Sequence, residues 1–214
     1  MIKRLLITLI LLSALCPAGA VTPEAADSMI GALNHVLDRR DTYYIYRTYN
    51  IDSLGLALKR LDTSDHRRRA ALLHEIYMQY SSYQSDSARV FADRELEAAV
   101  RTGDKELVAI AQSDRLFSFI SSGLFSDGVD VVRQTSLEGV TPSTRALFYF
   151  RCIRLYSDLS NYADGTFRDR NASLSRAYSD SVMTLLPRQS YMATYASIFM
   201  TMSTMTLDQK ISTF

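Results

Sequence analysis

The sequence predicts an all-α protein, a right-handed stack of antiparallel helical hairpins. Three observations lead there. Only eight Gly and four Pro occur in 214 residues, too few for a turn-rich β fold. Apolar residues recur three and four positions apart, the spacing of one face of an α-helix. Paired segments of this kind return at intervals of about 40 residues, the range of helical repeat arrays. None of these segments is apolar all round, so each predicted helix has a stripe to bury against its neighbours, and stacking does that economically. A chain of this length that is 47% hydrophobic suffices for one packed domain or a short solenoid.

The first 20 residues, MIKRLLITLILLSALCPAGA, read as a signal peptide. Lys3 and Arg4 form the positive start, Leu5 to Leu15 the uncharged apolar stretch, and Ala18, Gly19 and Ala20 the small residues of a cleavage site after Ala20. The stretch is too short to span a bilayer. Lipid attachment at Cys16 is the weaker reading, because Leu15 stands where a small residue is wanted. The mature chain is therefore expected to be exported, with no membrane-spanning helix.

Residues 21–62 form the expected N-terminal hairpin and residues 63–214 the repeat domain. Thr22 and Pro23 resemble an N-cap with Pro at the first helical position. Met29, Ile30, Leu33, Val36 and Leu37 fall on one face, expected to fold back on a second helix that starts after Asp41. In that helix Ile51, Leu54, Leu58 and Leu61 make a narrow apolar seam. Tyr43, Tyr44, Tyr46 and Tyr49 crowd its start; hairpin packing and surface stacking account for them better than an aromatic ligand cradle.

The next unit pairs a face of Leu73, Ile76, Tyr77 and Tyr80 with one of Ala88, Phe91, Ala92, Leu96 and Ala99, closed by Gly103-Asp104. A third carries Leu107, Ile110, Ala111, Leu116, Phe119 and Ile120, turns at Ser121 to Phe125, and continues with Gly128, Val131 and Val132. A fourth begins at Thr141-Pro142, again a cap and Pro pair, with Leu147, Phe150, Ile153, Leu155 and Tyr156. The polar stretch Asn161 to Asn171 reads as a longer loop before a helix with Leu174, Ala177, Tyr178, Val182 and Leu185, stopped by Pro187. Tyr191, Tyr195, Ile198 and Phe199 predict another first helix, and Leu207 to Ile211 the opening of its partner, so the last repeat reads as incomplete.

Charge excludes a bulk nucleic-acid surface. Loss of Lys3 and Arg4 with the leader leaves 22 basic residues against 23 acidic ones, a formal charge of −1. Of the 24 basic residues of the full chain, four are Lys (Lys3, Lys59, Lys105 and Lys210) and the rest Arg.

No constellation of catalytic, cofactor-binding or metal-ligating residues stands out. His35, His66 and His74 have no Cys neighbours and no H-x-x-x-H spacing, and read as surface or interface residues. Asp93, Glu95 and Glu97 read as solvent-facing helix positions. His66-Arg67-Arg68-Arg69 is the densest basic cluster, at a helix start where positive charge opposes the dipole; a solvated face offset by Asp62 and Asp65 explains it better than an anion site. Cys152, in an apolar run, reads as a small buried hydrophobe. Asp-Ser-apolar triplets at Ser28, Ser53, Ser87 and Ser181 match a short O-glycosylation acceptor, although Asp and Ser are also common on helix surfaces.

Gly123-Leu124-Phe125-Ser126-Asp127-Gly128 resembles the turn of a tetratricopeptide repeat, where small residues let two helices cross closely. Ser82 to Ala92 is similar, with Ala88 at the small position. In order, Ile51-Asp52-Ser53-Leu54, Asp86-Ser87-Ala88, Ser121 to Phe125 and Leu155 to Leu159 resemble, from residue 1 to about 210, the exported sensor region of membrane-spanning regulators of gut-type Gram-negative bacteria. That resemblance implies a periplasmic, tetratricopeptide-like sensor that binds a protein, peptide or envelope ligand. The membrane helix and cytoplasmic segment of that group have no counterpart up to Phe214, so the chain is expected to be a natural truncation or part of a longer protein. The function expected is non-catalytic binding, without cofactor. A structural scaffold of the envelope, self-associating through the C-terminal helix, is the alternative.

Overall fold

The structure is a computed structural model in which residues 22–204 are described, with side chains through residue 201. The leader with its cleavage site and the segment Leu207 to Ile211 lie outside the described residues. Nine α-helices and no strand occur among the described residues: α1 (Pro23–Asp38), α2 (Arg40–Arg60), α3 (His66–Tyr80), α4 (Ser85–Thr102), α5 (Lys105–Ser121), α6 (Phe125–Gln134), α7 (Pro142–Tyr162), α8 (Gly165–Leu185) and α9 (Tyr191–Thr204).

The chain divides into two compact units between Tyr49 and Asn50, inside α2. In the first unit the Thr22 hydroxyl accepts from the Ala25 amide, and Pro23 opens α1, as the cap and Pro pair predicts. The apolar face of α1 does not pack as expected. Met29, Ile30, Leu33, Val36 and Leu37 are all more than half exposed, and α1 buries no residue. A single residue, Arg39, joins α1 to α2 and stays in the αR region, which leaves no turn to reverse the chain. Tyr43, Tyr44, Tyr46 and Tyr49 are likewise exposed, and the Arg39 guanidinium lies 5.5 Å from the Tyr43 ring centroid.

The second unit is the hairpin stack. Helix α3 pairs with α4, α4 with α5, α5 with α6 and α7, α7 with α8, and α9 packs on α7 and α8. The seam of α2 enters it: Leu58 is buried and Leu54 half-buried against Ala70, Leu73, Ile76, Ala98, Ala99 and Ala111. A second cluster joins Leu116, Phe119, Ile120, Val131, Phe148, Cys152, Leu155 and Tyr156 across α5, α6 and α7. A third gathers Ile153, Val182 and Ala196 from α7, α8 and α9. Full burial of the Leu, Ile, Val and Phe side chains among these is worth roughly 1.5–3 kcal/mol each.

Local chemistry sets the boundaries. Gly103 (φ 69°) ends α4, and Gly123 (φ 72°) makes the turn into α6, a left-handed backbone that favours Gly. Asp65, Asp104 and Thr141 cap α3, α5 and α7 through their side-chain oxygens. A Cβ built on Gly128 would stand 3.2 Å from Leu155 Cδ1 and 3.5 Å from Leu116 Cδ1. This is the close crossing that the small residue predicts. Ala88 and Ala92 fill the equivalent positions of α4 and are fully buried.

The loop expected over Asn161 to Asn171 is helix instead: α7 runs to Tyr162 and α8 starts at Gly165, leaving Ala163 and Asp164 between them. Gly165 (φ 56°) makes the reversal, and the polar residues that follow are the exposed first turns of α8. Val182 is buried on the packing face of α8 as expected, but Ala177 is exposed, and Ser175 and Ser179 are buried in its place.

Candidate functional site

Three helices of the stack each contribute one titratable side chain to a single point. His74 lies on the face of α3 that also carries Ala70 and Tyr77. Glu95 stands on the buried stripe of α4 between Ala92 and Ala99, and Asp114 on that of α5 between Ala111 and Ser118. His74 Nδ1 is 2.7 Å from Asp114 Oδ2 and 3.3 Å from Glu95 Oε1. The carboxylate side chains are only 4% and 3% exposed, the imidazole 38%. The two contacts to Nδ1 fall outside strict hydrogen-bond alignment, yet both carboxylates are close enough to hold a proton there.

The electrostatics follow from burial in a low-dielectric stack. The Asp114 carboxylate, then that of Glu95, hold the proton on His74 and push its pKa up to about 10. Burial pushes Glu95 up to about 7, against the pull of His74. Tyr77, its ring 6.2 Å from that of His74, has its hydroxyl made less acidic by burial and then by Asp114, with Arg151 of α7 opposing. Arg151 rests its guanidinium 4.2 Å from the Phe117 ring centroid. Among the described residues, Tyr77 Oη, Glu95 Oε2 and Arg151 Nε are buried without a hydrogen-bond partner. One ligand atom from each of His74, Glu95 and Asp114 lies within 4.8 Å of the others, so the arrangement can hold a metal ion.

This corrects one expectation and adds to another. Glu95 is not solvent-facing but buried, because it follows Ala88 and Ala92 along the inward stripe. His74, read as a surface or interface residue, is part-exposed and is also the meeting point of two buried carboxylates. The signal was present: a carboxylate in register with an alanine stripe marks a buried charge, which needs a partner. The partner itself was invisible, since His74, Glu95 and Asp114 lie one to a helix with no local motif.

The remaining singled-out residues are placed as follows. His35 is exposed on α1. His66 is half-buried at the start of α3, its Nδ1 buried without a hydrogen-bond partner. Of the two acidic residues expected to offset the basic cluster, Asp62 accepts from Ser64 and Asp65 from the Arg68 backbone N–H; the ion pair is made instead by Asp104, with Arg67. Asp93 accepts from Arg115 Nε at 2.7 Å. Cys152 is fully buried, as expected, and burial pushes its thiol well up. Ser28 and Ser53 are exposed, Ser87 and Ser181 half-buried, all within helices.

A separate open groove of about 520 Å³ runs along α7, α8 and α9. Ser157, Asn161, Arg168, Arg176, Phe199 and Met200 are among its lining, so cationic, amide and hydroxyl groups stand beside apolar ones. No helix among the described residues is long and apolar enough to cross a membrane.

No curated protein and no solved structure matches the chain. The family described as the SusR N-terminal TPR domain matches residues 37–214, which takes in α2 from its start and every helix of the stack. The chain belongs to the family of SusR N-terminal TPR domains.

Proposed function

We propose that this chain is the exported sensor module of a SusR-type regulator, and that it acts by binding a protein or peptide of the cell envelope rather than by catalysis. The observation that carries the reading is the family match laid over a stack of helical hairpins, an architecture that presents extended binding surfaces. The signal-peptide pattern of residues 1–20 supports export to the periplasm, and the near-neutral charge supports a partner other than nucleic acid. The groove along α7, α8 and α9 suits an extended peptide, since Arg168, Arg176 and Asn161 offer donors to a backbone or carboxylate beside the apolar Phe199 and Met200.

Capture from envelope extract tests the reading. The purified chain is expected to retain a defined protein or peptide above a blank matrix, and Arg168→Glu with Arg176→Glu to weaken that retention. Equal retention by the blank matrix counts against binding. A chain found only in the cytoplasm, with its first 20 residues intact, counts against export.

A scaffold role is the second reading. It is favoured by α9, whose Tyr191 (74%) and Ile198 (52%) remain exposed. Light scattering separates the two: a concentration-independent monomer argues against self-association.

A further inference from the structure

We propose that His74, Glu95 and Asp114 form a site for one divalent transition-metal cation, with zinc the best match to the donor set. The donors are one imidazole nitrogen and two carboxylate oxygens, all within 4.8 Å of one another. Zinc takes both kinds at about 2.0–2.2 Å, which sets tetrahedral ligands roughly 3.4 Å apart. The observed separations of 2.7 and 3.3 Å from Nδ1 reach that with a small opening, and the two carboxylate oxygens lie within 4.8 Å of each other. Calcium and magnesium want six or more oxygens, and this cluster offers a nitrogen in place of one of them.

A second observation points the same way. Glu95 is 3% exposed, yet its Oε2 has no hydrogen-bond partner among the described residues, and the Tyr77 hydroxyl, in a residue 1% exposed, has none either. Unpartnered buried oxygens of this kind are costly and call for a ligand or an ordered water. Charge agrees. With an imidazolium and two carboxylates the cluster carries a formal −1. A divalent cation that takes the Nδ1 lone pair and releases one proton to solvent brings it to zero, and no oxidation state changes.

Access is built in. The His74 side chain is 38% exposed, so one side of the cluster meets solvent and leaves a coordination position for water, as three-ligand sites do. Bound there, the cation would tie α3 and α4 of one hairpin to α5 of the next and stiffen the stack.

The full-length chain, stripped with chelator and titrated with zinc chloride, tests the site by calorimetry and native mass spectrometry. Expected are one zinc per chain and a rise in Tm of several degrees. Glu95→Gln and Asp114→Asn, both near-isosteric, are expected to weaken zinc at least about tenfold with helical circular dichroism unchanged, while His66→Gln binds as wild type. No binding at about 100 µM zinc, or undiminished affinity in both carboxylate variants, overturns the proposal, as does a preference for calcium over zinc. Should a variant lose its helical signal, the wild-type NMR spectrum decides. Zinc must shift the ring resonances of His74; shifts confined to His35 or His66 overturn the site.

Discussion

His74 Nδ1 on α3 stands 2.7 Å from Asp114 Oδ2 on α5, so an ion contact between a half-exposed imidazole and a fully buried carboxylate ties one hairpin to the next. Removing one partner of such a pair leaves the other charge buried and uncompensated, at about 3–5 kcal/mol for fully buried pairs. Solvent at His74 screens part of this. His74→Leu is therefore expected to cost about 2–3 kcal/mol at neutral pH, the lower end of that range discounted for exposure. Urea unfolding followed by circular dichroism measures it. A change below about 0.5 kcal/mol, the size of an ordinary surface substitution, would mean that the contact holds nothing together.

The same cluster fixes how stability depends on pH. In the metal-free chain His74 is raised from 6.5 to about 10 and Glu95 from 4.5 to about 7. Both bind their proton more tightly folded than unfolded, so the folded state holds more protons between these values, and stability falls as pH rises. The Glu95 contribution is complete below 4.5 and lost through 7; that of His74 is complete below 6.5 and lost through 10. Asp62, Asp104 and Glu106 are lowered by hydrogen bonds and, for Asp104, by Arg67. They act in the opposite sense, and their stabilisation is lost only below that window. In chelator, Tm is expected to fall steadily from pH 4.5 to 10. Glu95→Gln should flatten the lower part and His74→Gln the upper. A flat or rising profile in the wild type would sink this reading.

How much of this was legible beforehand depended on whether the signal was local. The Thr22-Pro23 and Thr141-Pro142 caps and the stop at Pro187 each involve residues within a turn or two and are found where the spacing puts them; of the seam Ile51, Leu54, Leu58 and Leu61, the first three lie in α2 and Leu61 just past its end. The stretch Asn161 to Asn171 misleads because its polarity suggests a loop, whereas Ala163, Asp164 and Gly165 make the reversal and the charges beyond them are a solvated helix face. The face of α1 failed for a different reason. Amphipathic spacing shows that a stripe wants a partner but not which segment covers it, and none of the described residues does. The cluster of His74, Glu95 and Asp114 depends on three helices meeting, and that information is carried by the packing, not by any stretch of sequence.

Gly128 tests the close crossing of α6 with α5 and α7. Alanine there gains helix propensity of about 1 kcal/mol but presses on the end of Leu155 at 3.2 Å, a flexible group that can give way. Gly128→Ala is therefore expected to be close to neutral. Gly128→Leu overfills the space between Leu116 and Leu155 and is expected to cost about 1–3 kcal/mol. Thermal melts of the two variants check the contrast. If both are tolerated equally, the helices are not in contact at this point.

Cys152 reports on the same core by chemistry. It is 0% exposed among Leu116, Phe148, Leu155 and Tyr156, and burial pushes its thiol well above the usual range, so little thiolate forms and none of it is accessible. In a Cys16→Ser chain, labelling by a thiol reagent is expected to be slower than for a free peptide thiol by the unfolding equilibrium, and to rise with urea in step with loss of helix. Cys152→Ser should cost about 1 kcal/mol, because it puts a hydroxyl among apolar side chains with the Tyr178 hydroxyl as its polar partner. Rapid labelling without denaturant would mean that α7 opens on its own, and the cluster around Leu116 and Leu155 could not then be the rigid centre of the stack.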